Sequence, residues 1–207
     1  PNDLSYTDVL VEKMLPVIEA ARGRTFFLFT SHRALKRAAA LLDGKLPFPL
    51  LVQNSVSRRQ LLDDFRRHGN AVLLGTSSFW EGIDVRGEAL SCVIIDKLPF
   101  SSPGDPVMAA RIERCRSDGG NPFDALQLPD AIIALRQGVG RLIRDVDDTG
   151  ALVLADPRVV TKGYGKKVLN SLPPMPRTRR LDVVQRFFSV QSQAVQSQVI
   201  NSQATQN

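Results

Sequence analysis

The chain has 207 residues, 43% of them hydrophobic, 6% aromatic and 23% charged. That suits one globular α/β domain with a sizeable core, excludes disorder throughout, and is too short for most two-domain enzymes. Lys and Arg number 27 against 21 Asp and Glu, a formal charge of +6 carried mostly by Arg, which permits a polyanionic partner.

No apolar run reaches the roughly 18–20 residues of a membrane-spanning helix, and residues 1–22 mix acids among their apolar positions where a secretory segment would be uniformly apolar. The expectation is a soluble cytoplasmic protein with no membrane partner. Pro1 stands where a full gene product has Met, which reads as a piece cut from a longer protein. Residues 4–22 read as a helix, with Ser5 and Asp8 at capping-box spacing and Val11, Met14, Leu15 and Ile18 on one face. Pro16 is expected to kink it or delay its start.

Short apolar runs then alternate with amphipathic helices. Strands are expected over Thr25–Thr30, Pro49–Gln53, Ala71–Gly75, Leu90–Asp96 and Ala151–Ala155. The intervening helices are expected over Arg33–Leu42, Arg58–His68, Pro106–Arg116 and Pro129–Arg144, with Asp105 and Pro106 as an N-cap and first-turn pair. The strand runs are nearly continuous rather than alternating, which implies burial on both faces. Such an order predicts an α/β fold, a parallel sheet flanked by helices on both faces with its functional loops at the carboxyl ends of the strands.

Beyond Pro157, Lys162–Leu172 reads as a further helix, broken by Pro173, Pro174 and Pro176. A basic run, Arg177–Arg180, leads into Leu181, Val184, Phe187 and Phe188 at helical spacing. Ser189–Asn207 carries no charge and repeats Val-Gln-Ser-Gln at Val190 and Val195, the composition of a disordered or low-complexity tail. The expected organisation is a domain over 1–172, a basic amphipathic segment over 173–188 and a tail over 189–207.

Chemistry is constrained first by what is missing. There is no G-x-x-x-x-G-K-[ST] loop, no H-E-x-x-H and no G-x-S-x-G. Only His32 and His68 offer histidine bases, and Cys92 and Cys115 cannot make a four-thiolate site. No metal site and, in a reducing cytosol, no disulfide is expected. Three clusters remain. Phe29-Thr-Ser-His-Arg33 runs from a strand into a helix N-terminus with two hydroxyls and a cation, suited to a phosphate or simply to capping. Gly75-Thr-Ser-Ser-Phe-Trp80-Glu-Gly82-Ile-Asp84 leaves the third strand with hydroxyls beside exposed amides, either a phosphodiester cradle or an ordinary turn over Trp80. In Gln137-Gly-Val-Gly140-Arg141-Leu-Ile-Arg144, about 100° per residue puts Ile132, Leu135, Val139, Leu142 and Ile143 on one face and Gln137, Arg141 and Arg144 on the other. That polar face is either solvated or aimed at a partner, and the two glycines inside the helix favour close approach to its backbone.

Taken in order, these clusters resemble motifs IV, V and VI of superfamily 2 helicases. With Asp96-Lys-Leu-Pro-Phe100, Pro103, Asp105, Pro106 and Ala155-Asp-Pro-Arg158, residues 24–172 are similar to the DinG and XPD branch and, within it, to the bacterial YoaA-type group. One departure is Gly138, where many superfamily 2 motors carry a further Arg.

The resemblance implies a RecA-like second motor domain of an ATP-dependent 5′ to 3′ DNA helicase of repair and replication. ATP with Mg2+ would lie against a first motor domain outside this chain. Arg141 and Arg144 match arginine fingers and Gln137 a γ-phosphate sensor, while Glu81, Gly82 and Asp84, with Gly140, match nucleotide-side positions. Thr30, Ser31, Arg33, Gly75 and Thr76 match contacts to the backbone of single-stranded or forked DNA. The iron-sulfur cluster common in this branch would belong to the parent's other half. The resemblance also implies the DNA polymerase III chi subunit as a partner, for which Arg177, Thr178, Arg179, Arg180, Val184, Phe187 and Phe188 form a candidate docking element. The alternative to an enzyme is a non-catalytic interaction module on the same fold. A single-strand nuclease is the weaker third reading, without metal-binding carboxylates to support it.

Overall fold

The computed structural model describes residues 5–76, 79, 90–101, 104–140, 142 and 149–190. All the expected strands form: β1 Thr25–Phe29, β2 Leu50–Val52, β3 Val72–Thr76, β4 Cys92–Ile95 and β5 Ala151–Leu154. They pair in parallel in the order β2-β3-β1-β4-β5. The helices are α1 Tyr6–Ala20, α2 His32–Leu42, α3 Arg58–His68, α4 Pro106–Ser117, α5 Leu128–Val139, α6 Arg158–Thr161 and α7 Gly165–Asn170, then α8 over 181–190. A π-helical turn, Phe123–Gln127, leads into α5.

The continuous apolar runs are explained by two cores, one on each face of the sheet. Phe26, Leu28, Leu73, Val93 and Ile95 face Leu61, Leu62 and Phe65 of α3 and Leu128, Leu135 and Val139 of α5. Their strand neighbours Phe27, Phe29, Leu74, Cys92 and Ile94 face Leu10, Met14 and Ile18 of α1, Leu35 and Ala38 of α2, and Phe188 of α8. Every residue of β1, β3 and β4 is buried, so alternation along a strand assigns a side chain to one core or the other and not to water.

Local chemistry sets the helix ends. Ser57 accepts from Gln60 N at 3.3 Å, and Asp105 accepts from Val107 N at 2.9 Å and Met108 N at 3.1 Å, as expected for N-caps. Gly69 closes α3 in the left-handed region at φ 67°, after Arg66, Arg67 and His68 in the last turn, where cations suit the negative end of the helix. Position 23, at φ 72° between α1 and β1, requires glycine, because a Cβ there would overlap the Asn70 carbonyl oxygen.

The structure corrects four expectations. Ser5 has helical backbone, φ −78° and ψ −8°, and does not serve as the extended N-cap of a capping box. Helix α1 is continuous through Pro16. Pro16 and Glu12 are exposed, so water can satisfy the Glu12 carbonyl that loses its helical donor. Helix α5 ends at Val139, with Gly140 N bonded to Arg136 O at 2.9 Å, so Gly140 terminates the helix and only Gly138 lies inside it. The expected Lys162–Leu172 helix is shorter, α7 over Gly165–Asn170, and a separate short helix, α6 over Arg158–Thr161, precedes it. A Cβ on Gly165 would overlap the Val159 carbonyl oxygen where the two short helices cross.

The 173–188 segment is continuous with the domain. Phe188 is 0% exposed, and Leu181 and Val184 pack against the same core. Helix α8 continues through Ser189 and Val190, the first residues of the expected tail; 191–207 lie outside the described residues. Among the described residues, no helix is long and apolar enough to cross a membrane.

Candidate functional site

Of the candidate residues, Thr30, Ser31, Arg33, Gly75 and Thr76 lie at or just beyond the carboxyl ends of β1 and β3. Phe29 of β1 pairs in register with Thr76 of β3, so the loop that starts at Thr30 and the loop that follows Gly75 and Thr76 leave the sheet side by side. At the end of β1, Thr30 N donates to Asp96 Oδ1 at 2.9 Å. Ser31 is the extended N-cap of α2, and its Oγ accepts from Ala34 N at 3.2 Å. Its oxygen therefore serves the helix, and its O–H proton is what it can offer an anion. His32 and Arg33 are exposed beside it.

Thr76 departs from the expectation of an outward hydroxyl. It is 5% exposed, and its N and Oγ1 both reach Gln53 Oε1, at 2.6 and 3.0 Å. Polar side chains at the end of a buried strand need a partner, and Gln53 at the end of β2 supplies it. Gly75 is covered by Phe79, whose ring would stand 3.1 Å from a Cβ at Gly75. Arg58 lies over that ring at 5.4 Å and donates to Phe79 O at 3.1 Å. Gln53, Asn54, Val56, Arg58 and Phe79 line an open cavity of about 200 Å³ beside this loop.

Over α5, Leu128–Val139, and in Gly140 and Leu142 just beyond its end, the expected division into an apolar and a polar side is present. Leu135, Val139 and Leu142 are buried, Ile132 packs on the same core, and Gln137 and Gly140 are exposed. The helix thus points Gln137 away from its own core. Arg141, Arg144, Ile143, Trp80, Glu81, Gly82 and Asp84 lie outside the described residues.

Sequence reasoning quoted Asp96 and Asp156 within the signatures that carry the resemblance but gave them no role; they form a buried polar group at the ends of β4 and β5. Asp96 and Asp156 are 1% and 3% exposed. Asp156 Oδ2 accepts from Leu98 N at 2.8 Å, and Arg158 holds both its carboxylate oxygens. Burial raises the Asp156 carboxyl, but the Arg158 guanidinium and the backbone donors outweigh it and hold the group below the usual carboxylate range. Burial pushes Asp96 the other way, above that range, against the opposing pull of Lys97 at 3.2 Å and of Thr30 N. Tyr6 of α1 donates to the carbonyls of Asp96 and Ala155 at 2.8 and 3.0 Å. Burial, then the two nearby carboxylates, raises the Tyr6 phenol well above its ordinary value, which keeps the proton in place for those bonds. The available clue was a carboxylate directly after a buried apolar run, as in Ile95-Asp96 and Ala155-Asp156.

The terminal candidates separate into two groups. Val184 and Phe188 face the domain's own core, which corrects their assignment to a partner-facing surface, because an amphipathic helix beside an uncovered core buries its apolar stripe there first. Arg177, Thr178, Arg179 and Arg180 are exposed, with Arg177 donating to Leu169 O at 2.7 Å and Arg180 paired with Asp182 at 2.6 Å. Phe187 is 37% exposed. Cys92 is fully buried and its thiol is pushed up to about 12 by desolvation, which suits a packing role rather than a ligand.

Comparison with known proteins places these features. The family described as "Helicase C-terminal domain" matches residues 14–175. Over 183 residues the chain is 54% identical to the ATP-dependent DNA helicase YoaA of Escherichia coli (strain K12), covering 88% of this chain and 29% of that protein. Over 162 residues it is 40% identical to the ATP-dependent helicase DinG of Mycobacterium tuberculosis (strain ATCC 25618 / H37Rv), covering 78% of this chain and 24% of that one. The chain therefore spans less than a third of the length of either relative. A solved XPD helicase superposes with a TM-score of 0.64 at 22% identity over 82% of this chain and 31% of that one, a likeness of the RecA-like fold.

Proposed function

Because this chain belongs to the helicase C-terminal domain family of the DinG and XPD type, we propose that it is the second motor domain of an ATP-dependent 5′ to 3′ DNA helicase of repair and replication. The observation that carries this reading is α5: its apolar side is spent on the core, and Gln137 is presented outward on the turn that leads into Arg141 and Arg144. A domain with no phosphate loop of its own has use for such a face only where another domain brings the nucleotide.

MgATP is then the substrate held between the two motor domains. Arg141 and Arg144 place guanidinium donors where charge develops on the γ-phosphate oxygens as the terminal bond breaks. Gln137 donates to the same group, and Glu81, Gly82, Asp84 and Gly140 line the nucleotide's side of the cleft. Ser31, with Thr30 and Arg33, holds the backbone of single-stranded DNA at the β1 exit, a contact independent of sequence. Gly75 and Thr76 shape the neighbouring loop. An iron-sulfur cluster in the parent protein falls to its other half, consistent with the burial of Cys92.

The test is steady-state ATPase of the full-length parent with and without single-stranded DNA. Stimulation of about tenfold or more is expected, with no turnover from residues 1–207 alone. A parent whose turnover ignores DNA would refute the motor reading.

A second reading is favoured by the exposed Arg177, Thr178, Arg179, Arg180 and Phe187: the end of the domain docks the helicase onto a replication protein such as the DNA polymerase III chi subunit. Exposed cations and an exposed aromatic on the same terminal segment suit an acidic partner. The double change Arg179→Glu with Phe187→Ala is expected to abolish capture of chi and leave the fold intact. Undiminished capture by the folded double variant removes this reading.

A further inference from the structure

We infer that Asp96 is a positioning residue for the DNA grip, acting through the backbone of Thr30, an inference that rests on the proposed role of the β1 exit. Strands β1 and β4 are adjacent, and the connections that leave them lie on opposite faces of the sheet: α2, which follows β1, packs in one core, and α5, which follows α4 in the connection from β4 to β5, packs in the other. This is the place where strand order reverses, and in open parallel sheets the crevice outside such a reversal is where ligands bind. Thr30 and Asp96 stand at its two lips.

The Asp96 side chain spans the reversal. Its Oδ1 accepts the Thr30 N–H from 66 residues away, its Oδ2 takes the Lys97 ammonium, and its own N is bonded to Leu28 O at 2.9 Å. Its carbonyl is held in turn by the Tyr6 hydroxyl. With Asp96 buried and its carbonyl fixed from α1, the carboxylate has one place to be, so the Thr30 amide is held at a set position and direction. Ser31, the N-cap of α2, is the next residue, and a shift at Thr30 re-aims both its hydroxyl and Arg33. Lys97 lies 4.8 Å from the centre of the Tyr6 ring, which keeps the countercharge inside the same small group. No contact between Asp96 and DNA is required; a donor set held in advance binds with less ordering cost than one fixed on contact.

The test uses the full-length parent enzyme, reading turnover against single-stranded DNA concentration. Asp96→Ala removes the acceptor. The half-saturating DNA concentration is expected to rise about tenfold, the scale of a lost hydrogen bond to a charged group, with turnover at saturating DNA kept within about twofold. Asp96→Asn, which retains an oxygen facing Thr30 N, is expected to restore the half-saturating concentration to within about threefold of the parent. Should Asp96→Ala not yield folded protein, Asp96→Ser, too short to reach Thr30, takes its place. Equal loss of saturating turnover and DNA affinity, or failure of Asp96→Asn to rescue, overturns the inference. Thr30→Val with Arg33→Gln serves as the control for the underlying reading. If that pair weakens DNA binding and Asp96→Ala does not, the inference alone fails; if that pair has no effect, the DNA grip at β1 fails and the inference falls with it.

Discussion

Replacing Arg141 by Ala in the full-length parent is expected to lower DNA-stimulated ATP turnover by about a thousandfold, the low end of what an arginine finger supplies. At about 1.4 kcal/mol for each factor of ten, that is roughly 4 kcal/mol of transition-state stabilisation. The size follows from where the proposed function puts the charge. A guanidinium aimed at the terminal phosphate in a cleft shielded from water works at low effective dielectric, so its removal costs far more than the loss of a surface cation. Arg144→Ala is expected to act in the same direction. Arg141→Lys should recover little, since a point charge cannot reproduce the planar fork of donors. Stability should hardly change, because α5 is anchored by Leu128, Leu135 and Val139, none of which the substitution alters. Steady-state turnover at saturating ATP and single-stranded DNA, beside a thermal melt, decides the matter. A loss under about tenfold would take the finger role away from Arg141.

Phe188→Ala is expected to destabilise the 207-residue chain by about 3 kcal/mol, the lower end for deleting a buried phenylalanine, and to lower its melting temperature by roughly 10 °C. Phe188 is 0% exposed and closes the core that contains Leu10, Met14, Phe27 and Ile94. A helix that merely hung from the domain to await a partner would lose less than about 1 kcal/mol, as exposed positions do. Urea or thermal unfolding separates the two. The same placement warns that deleting 173–207 removes part of the core along with any docking surface, so single changes at exposed positions are the cleaner probes of a partner.

Much of the fold was legible because a strand buried on both faces leaves an unbroken apolar run. Thr25–Phe29 stands out in the sequence whatever covers it. The strand ends were less legible. Thr76 belongs to β3 although it is polar, since its hydroxyl is satisfied by Gln53, 23 residues away, and no local rule shows such a partner. The apolar stripe of α5 continues to Leu142, yet glycine at 140 ends the helix at Val139: periodicity shows which side is buried, not where the turns stop. The amphipathic spacing of Leu181, Val184 and Phe188 was equally clear, but whether that stripe meets another protein or the chain's own sheet depends on where α1 lies. The role of Asp96, quoted only as part of a signature, was hidden for the same reason. A carboxylate at a strand end is ordinary until Thr30 and Tyr6 are seen converging on it from distant parts of the chain.

The division of the apolar side chains into two cores has a mechanical consequence. Neighbouring residues such as Phe26 and Phe27 grip opposite layers, so the sheet behaves as a stiff plate with a helical layer bonded to each side. On the function proposed above, a push on α5 from a nucleotide would reach the sheet through Leu135 and Val139, and the plate would carry it to the layer of α1, α2 and α8. In a motor that turns a small displacement at one surface into movement along a strand at another, stiffness of that kind limits how much of the stroke is lost inside the domain.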